Sequence, residues 1–122
     1  MNSKQIAILS NNAHSPWLKH VTEILGTIGM LTVFSESMLE NELDKPYDLL
    51  LIDASGLQIE LAERVAWLHG RFPDVPLVVL TSSPTWRRAR AVLQAGAADY
   101  MRRSIEDEQL LKRCHSLLNC PS

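Results

Sequence analysis

Short apolar runs alternate along this chain with longer segments whose apolar residues recur at helical spacing. The apolar runs are bounded by polar or turn-forming residues and have the length of buried strands. They cover residues 5–9, 31–34, 48–52, 77–80 and 98–101. A segment with helical periodicity follows each run, so the pattern predicts five strand–helix units of about 24 residues each.

Capping residues, prolines and glycines indicate where the first two helices begin and end. Ser15 followed by Pro16 predicts the start of the first helix, and Gly29 predicts its end. Ser35 is placed to cap a short second helix that runs through Leu43.

The same signals define the three later helices. The third predicted helix covers residues 57–72, and the fourth runs from Pro84 to Gly96. Ser104, with Asp107 three residues later, resembles a capping box at the start of the last helix.

Alternating strands and helices predict an α/β fold, because parallel strands need a crossover that a helix supplies. The strands are apolar at successive positions, which indicates burial on both faces. These features favour an open, doubly wound sheet over a closed barrel of eight units. Ligands of such sheets bind beyond the carboxyl ends of the strands, so candidate functional residues are sought there.

Composition narrows the class of protein. The 122 residues are 46% hydrophobic and 21% charged, as in one globular domain. We expect this domain to span residues 1–118, with residues 119–122 as a C-terminal tail or the start of a linker. No apolar run is long enough to span a bilayer, so no membrane contact is expected. Cys114 and Cys120 make no disulfide framework and favour a reducing, cytoplasmic location.

Polar side chains follow four of the predicted strands. Ser10 and Asn11 follow the first strand, Asp53 the third, Thr81 the fourth, and Arg103 comes shortly after the fifth. A carboxylate directly after a buried strand is costly unless it reaches water or pairs with a cation, which Arg103 could supply. Asp53 is therefore a candidate functional acid, and the alternative is an N-cap of the following helix.

Three stretches carry a resemblance to a known family. They read Tyr-Asp-Leu-Leu-Leu-Ile-Asp at 47–53, Val-Leu-Thr at 79–81 and Ala-Gly-Ala-Ala-Asp-Tyr-Met-Arg-Arg at 95–103. Together they resemble the response-regulator receiver domain, over essentially the whole chain. The resemblance implies a flavodoxin-like, five-stranded parallel sheet in a (βα)5 arrangement with strand order 2-1-3-4-5.

The resemblance also implies roles for individual residues. Asp53 stands at the phosphoacceptor position, and Thr81 and Tyr100 stand at the positions of the phosphoryl-binding and switch residues. Arg103 stands where the family has a lysine that neutralises the phosphoryl charge, and Ser104 where it has a proline. Arginine keeps the charge, but its planar fork differs from the lysine point charge. The simpler alternatives are that Thr81 is a helix-entry hydroxyl and that Tyr100 only packs.

The chain departs from the family at the end of the first strand. Ser10 and Asn11 stand where the family has an acidic pair that holds magnesium. Mg²⁺ prefers oxygen ligands, with carboxylates supplying charge. The resemblance leaves Asp53, the Ser55 backbone carbonyl and the Asn11 amide oxygen as candidate Mg²⁺ ligands. The loss of two anionic ligands predicts weaker metal binding and an ion pair between Asp53 and Arg103.

Two functional hypotheses follow. In the first, the chain is a receiver of a two-component phosphorelay that takes a phosphoryl group onto Asp53 from a sensor histidine kinase or another phosphorelay protein. In the second, it is a degenerate receiver that serves protein interaction or dimerisation without phosphorylation. Neither makes it an enzyme, beyond transfer onto its own Asp53. No glycine-rich loop follows the first strand and no Gly-x-Ser-x-Gly motif is present, which argues against dinucleotide binding and hydrolysis.

Positive charge is concentrated in the last third of a chain whose net charge is −2. The resemblance implies an output surface on the fourth helix, fifth strand and fifth helix, which includes Trp86, Arg87, Arg90 and Arg102. Tryptophan beside arginine is typical of protein interfaces, so a homodimer is expected there. Direct nucleic-acid binding is not expected, because the domain is acidic overall. The alternatives are solvated helix faces and a Trp86 packed on its own helix.

Overall fold

The computed structural model describes residues 3–12, 14–39 and 46–119. Within them, five parallel strands form one sheet with the order β2-β1-β3-β4-β5. The strands are β1 (Gln5–Leu9), β2 (Met30–Phe34), β3 (Leu49–Asp53), β4 (Leu77–Thr81) and β5 (Asp99–Arg102). The predicted fold class and strand order are confirmed, and each strand boundary lies within one residue of its predicted position.

Four α-helices occur in the described part of the chain. They are α1 (Pro16–Leu25), α2 (Leu61–Arg71), α3 (Trp86–Gln94) and α4 (Asp107–Leu118). None of the helices in these residues is long and apolar enough to cross a membrane.

The helices cover the two faces of the sheet and form two separate cores. On one face, Ile52 of β3 belongs to a buried cluster with Val65 of α2. On the other face, Leu51 belongs to a cluster with Leu18 of α1 and Leu110 of α4. Successive residues of a strand point to opposite faces, so a strand that is apolar at every position can serve both cores.

The first helix begins as predicted but ends earlier. The Ser15 hydroxyl accepts a hydrogen bond from the Leu18 N–H, and α1 ends at Leu25 with Gly26 as its C-cap. Gly29 does not close the helix. Instead it lies against β1, where a Cβ atom would come within 2.7 Å of the Ile6 side chain. The glycine is therefore needed for close packing just before β2.

The second predicted helix is described only at its start. Ser35 precedes a short 3₁₀ helix at Glu36–Met38 and makes no capping hydrogen bond. Its hydroxyl lies 2.8 Å from that of Ser37 instead. The remainder of the predicted helix, from residue 40 to Leu43, lies outside the described residues.

The later helices all begin after their predicted starts. The third predicted helix begins at Leu61 instead of residue 57, because the backbone N–H of Gln58 is bonded to Glu36. The fourth begins at Trp86, where Thr85 and not Pro84 supplies the cap. The fifth begins at Asp107, and Glu106 at its N-cap makes no capping bond. The predicted Ser104–Asp107 capping box is therefore wrong.

Candidate functional site

Polar side chains gather at one edge of the sheet because parallel strands end on the same side. Asp53 is the last residue of β3, and Ser10 follows β1 directly. Thr81 is the last residue of β4, one position beyond the strand partner of Asp53. Arg103 follows β5. The sequence pattern predicted this convergence, and Asp53 does not cap a helix, since Glu60 occupies that position in α2.

The Asp53 carboxylate is enclosed by protein. The residue is 0% exposed to solvent. The Ser10 hydroxyl donates a hydrogen bond to Oδ2 at 2.8 Å, and the backbone N–H of Ser55 donates to Oδ1 at 3.1 Å. Nε of Arg103 lies 3.8 Å from Oδ1, which is within ion-pair range but too long for a hydrogen bond. Each carboxylate oxygen of Asp53 therefore already has a polar partner in the protein.

Trp17 of α1 contacts Arg103 through both its ring and its indole N–H. The Arg103 guanidinium carbon lies 4.1 Å from the centre of the Trp17 ring. The indole N–H also donates a hydrogen bond of 2.9 Å to the Arg103 carbonyl oxygen. Sequence reasoning missed this role, because Trp17 fits the apolar stripe of the first helix and nothing in its spacing indicates a contact with Arg103.

An open cavity of about 360 Å³ adjoins the stacked pair. Its lining includes Trp17, Thr81, Arg103 and Ser104. The Arg103 side chain is 21% exposed, whereas Asp53 is fully buried.

Among the described residues, neither Thr81 nor Tyr100 makes a hydrogen bond to the Asp53 carboxylate. The Thr81 hydroxyl accepts from the Ser83 N–H at 3.2 Å, and its carbonyl accepts from the Arg103 N–H at 2.9 Å. The Tyr100 ring packs against the core on the α2–α3 face. Its hydroxyl is buried and has no hydrogen-bond partner among the described residues.

Asn11 is committed to a network that sequence reasoning also missed. Its Nδ2 donates to Glu36 at 2.7 Å and to the Gly56 carbonyl at 2.8 Å. Its Oδ1 accepts from the Glu36 N–H at 2.9 Å. Glu36 in turn receives two hydrogen bonds from Arg64 at 2.9 and 2.7 Å and one from the Gln58 N–H. This network ties the loops after β1, β2 and β3 to α2.

Glu36 is only 8% exposed, yet the network favours its charged form. Burial by itself raises the pKa of Glu36. The hydrogen bonds from Gln58, Arg64 and Asn11, together with the Arg64 charge, outweigh burial and hold that pKa below its ordinary value of 4.5.

The pocket residues do not match the needs of magnesium. Receiver domains typically carry Mg²⁺ beside their strand-three aspartate, with an acidic pair supplying charge. Here Asp53 is the carboxylate at the pocket. The Ser10 hydroxyl donates its hydrogen bond to Asp53, and the Asn11 amide oxygen accepts one from the Glu36 N–H. No group of three or more His, Cys, Asp or Glu side chains suited to a metal occurs in residues 3–12, 14–39 and 46–119.

The predicted interface residues are exposed to solvent, unlike Asp53 and Glu36. Trp86 is 74% exposed, so it does not pack on its own helix. Arg87 and Arg90 of α3 and Arg102 of β5 are also exposed.

Comparisons with solved structures give one consistent fold. The chain matches the response regulator DrrB of Thermotoga maritima with a TM-score of 0.83 and 21% identity, over 96% of this chain and 53% of that one. It matches the BeF3-activated receiver domain of DrrB with a TM-score of 0.81 and 22% identity, over 98% of this chain and all of the other. No family model matches the sequence.

Sequence relatives agree with the structural neighbours. An uncharacterized transcriptional regulatory protein, YhcZ of Bacillus subtilis, is 32% identical over 85 residues, which are 70% of this chain and 39% of YhcZ. The response regulator MprA of Mycobacterium tuberculosis is 35% identical over 75 residues, which are 62% of this chain and 32% of MprA. The match thus covers about a third of each curated relative.

The chain has the fold of a response-regulator receiver domain. The resemblance predicted from the stretches at 47–53, 79–81 and 95–103 is confirmed by the structural neighbours and the curated relatives.

The Glu36 network can be tested through stability. Glu36→Gln removes the ionised partner of Arg64 and should lower the free energy of unfolding at neutral pH by about 1–3 kcal/mol. Because the pKa of Glu36 is lower in the folded state than its ordinary value of 4.5, its contribution to stability is complete above pH 4.5. That contribution is lost as the pH falls below 4.5 and through the lowered pKa of the folded state. Urea denaturation at several pH values measures both effects.

The exposed Glu63 of α2 provides the matched control. Glu63→Gln should change stability little at any pH. Equal losses in the two variants, or a Glu36→Gln deficit that persists unchanged in acid, would contradict the assignment of the network.

Proposed function

We propose that this chain, over residues 1–118, is a receiver module of a response regulator and that Asp53 accepts a phosphoryl group from a sensor histidine kinase. The observation that carries the proposal is the meeting of Asp53 and Arg103 at the carboxyl edge of the sheet, 3.8 Å apart. This is where ligands of doubly wound sheets bind. Residues 119–122 are then a C-terminal tail or the start of a linker.

The proposed transfer needs an oxygen nucleophile and a cation. A carboxylate oxygen of Asp53 attacks phosphorus, an acyl phosphate bond forms, and the bond to the donor nitrogen breaks with its electron pair returning to the imidazole. Arg103 can offset the charge on the phosphoryl oxygens with a fixed guanidinium. It must move from Trp17 or turn on it, because Asp53 is enclosed before transfer.

Thr81 and Tyr100 fit the proposed response to phosphorylation. The Thr81 hydroxyl is held by one weak contact from the Ser83 N–H and could turn toward a phosphoryl oxygen. The buried hydroxyl of Tyr100 lacks a hydrogen-bond partner among the described residues, a costly state that a shift of Thr81 could relieve.

A second candidate function is favoured by the same pocket. Both Asp53 oxygens accept hydrogen bonds, and the positions of the acidic pair hold Ser10 and Asn11. Because Arg103 already balances the charge of the Asp53 carboxylate, this carboxylate should react with a phosphoryl group or bind a metal less readily. The chain would then act through protein contacts without phosphorylation.

Mass spectrometry separates the two candidates. The intact protein is incubated with acetyl phosphate, with and without magnesium, and its mass is measured over time. A working receiver should gain one phosphoryl group, because acetyl phosphate presents the same reactive phosphorus as a phosphohistidine. The adduct should be absent from Asp53→Asn.

Asp74→Asn changes an exposed aspartate in the loop before β4, at the opposite end of that strand from Thr81, and as the matched control it should keep the adduct. If the native protein gains no phosphoryl mass under any metal condition, phosphorylation of Asp53 is refuted and the interaction module stands.

We further propose that the face formed by α3 and β5 is where the domain contacts a second copy of itself. Trp86, Arg90 and Leu93 lie on one side of α3, since they are spaced by four and three residues. Trp86 and Leu93 are 74% and 47% exposed, and Arg102 extends the face along the edge strand β5. Exposed tryptophan beside arginine is the composition of an interface centre.

Sedimentation velocity tests this face. Trp86→Ala with Arg90→Ser should shift a native dimer toward the monomer without lowering the melting temperature, because both side chains are exposed. Trp67→Ala, on the exposed side of α2, is the control and should leave the dimer intact. A distribution unchanged by the first pair would count against the face.

A further inference from the structure

The negative charge of Asp53 requires a positive charge close by. A buried carboxylate without a positively charged partner destabilises the fold. Hydrogen bonds from Ser10 and Ser55 reduce this cost, but both donors are neutral. Among the described residues, Arg103 is the cation that reaches ion-pair distance.

Trp17 fixes the place of that cation. The indole ring covers one face of the guanidinium at 4.1 Å, and its N–H fixes the Arg103 backbone at 2.9 Å. Guanidinium is weakly hydrated and stacks well on aromatic rings, so the contact restrains a side chain that would otherwise be mobile. In this position Nε of Arg103 is buried and has no hydrogen-bond partner in the described residues, which is an energetic cost of the stacked arrangement.

The side chains at the positions of the family's acidic pair are both engaged in hydrogen bonds. Ser10 Oγ donates to Asp53 and accepts from the Asn12 N–H at 3.1 Å. Both polar atoms of the Asn11 amide are bonded to Glu36 or Gly56. A divalent cation would have to displace Arg103 while gaining a single carboxylate, which is poor compensation for the loss of its own hydration shell.

We propose that Trp17 is a positioning residue that holds Arg103 as the built-in counter-charge of Asp53, and that this pair keeps divalent cations out of the pocket. The Trp17–Arg103 pair stands in for the metal charge of a typical receiver. The inference concerns the carboxylate on which the proposed function rests. It holds whether or not Asp53 accepts a phosphoryl group, so the two can fail separately.

Thermal unfolding with Mg²⁺ as the probe tests the exclusion without any phosphoryl donor. Native protein should show the same Tm in magnesium chloride as in sodium chloride of equal ionic strength. Arg103→Gln removes the counter-charge and should gain a magnesium-dependent rise in Tm of roughly 4 °C once Mg²⁺ exceeds its Kd several-fold. Adding Asp53→Asn to Arg103→Gln should abolish that rise.

Lys19 and Trp86 offer matched controls. Lys19→Gln removes an exposed cation of α1 and should leave the protein indifferent to Mg²⁺. Trp17→Phe keeps a ring but removes the indole N–H, so it should allow weak Mg²⁺ binding, and Trp86→Phe should not. In the Arg103→Gln background, Trp17→Phe should not change the Mg²⁺ affinity further, because Trp17 acts through Arg103.

Two results would overturn the proposal. One is an Asp53-dependent rise in Tm for the native protein, since the pocket would then admit the metal. The other is a folded Arg103→Gln variant that ignores Mg²⁺, since the missing acids alone would then explain exclusion. If Arg103→Gln does not fold, Arg103→Lys takes its place. A lysine keeps the charge but cannot lie flat on Trp17, so magnesium binding should appear at higher concentration.

Discussion

The carboxylate of Asp53 ends a strand that is buried along its whole length, and it has no contact with solvent. Most of what surrounds the carboxyl edge of the sheet serves to hold that charge. Ser10 and Ser55 supply hydrogen bonds, and Arg103 supplies the positive charge at 3.8 Å. Because Arg103 follows the edge strand β5, which β4 separates from β3, β5 and the loop after it must keep their place for the charge to be balanced.

This constraint links the site to the packing of the helices. Trp17 belongs to α1 but is bonded to the backbone at Arg103, so α1 and the loop after β5 are coupled through the pocket. On the other side, the Glu36–Arg64 pair joins the loop after β2 to α2 and immobilises Asn11. The carboxyl edge of this receiver fold thus carries an aspartate, a hydroxyl and a cation, and we propose that the hydrogen bonds and the ion pair there keep a metal out.

The fold and the centre of the site could be predicted from the sequence, because both depend on local patterns. Two-sided apolar runs such as 49–52 define parallel strands, and a polar residue at the end of such a run, as at Asp53, must face the ligand edge. Trp17 and Glu36 could not be found this way. Trp17 contacts a residue 86 positions away, and Glu36 contacts one 28 positions away. By residue type alone, Trp17 fits an apolar helix stripe and Glu36 fits a solvated surface charge. Helix starts were misplaced where a tertiary bond, such as Gln58 to Glu36, overrides local capping signals.

A double-mutant cycle between Asp53 and Arg103 measures the central interaction most directly. The free energy of unfolding is determined by urea denaturation for the native protein, Asp53→Asn, Arg103→Gln and the double variant. If Arg103 balances the buried charge, removing it should cost far less once Asp53 is neutral, with a coupling energy of about 1 kcal/mol or more. Additive losses, within roughly 0.3–0.5 kcal/mol, would contradict the account, because the two side chains would then not sense each other.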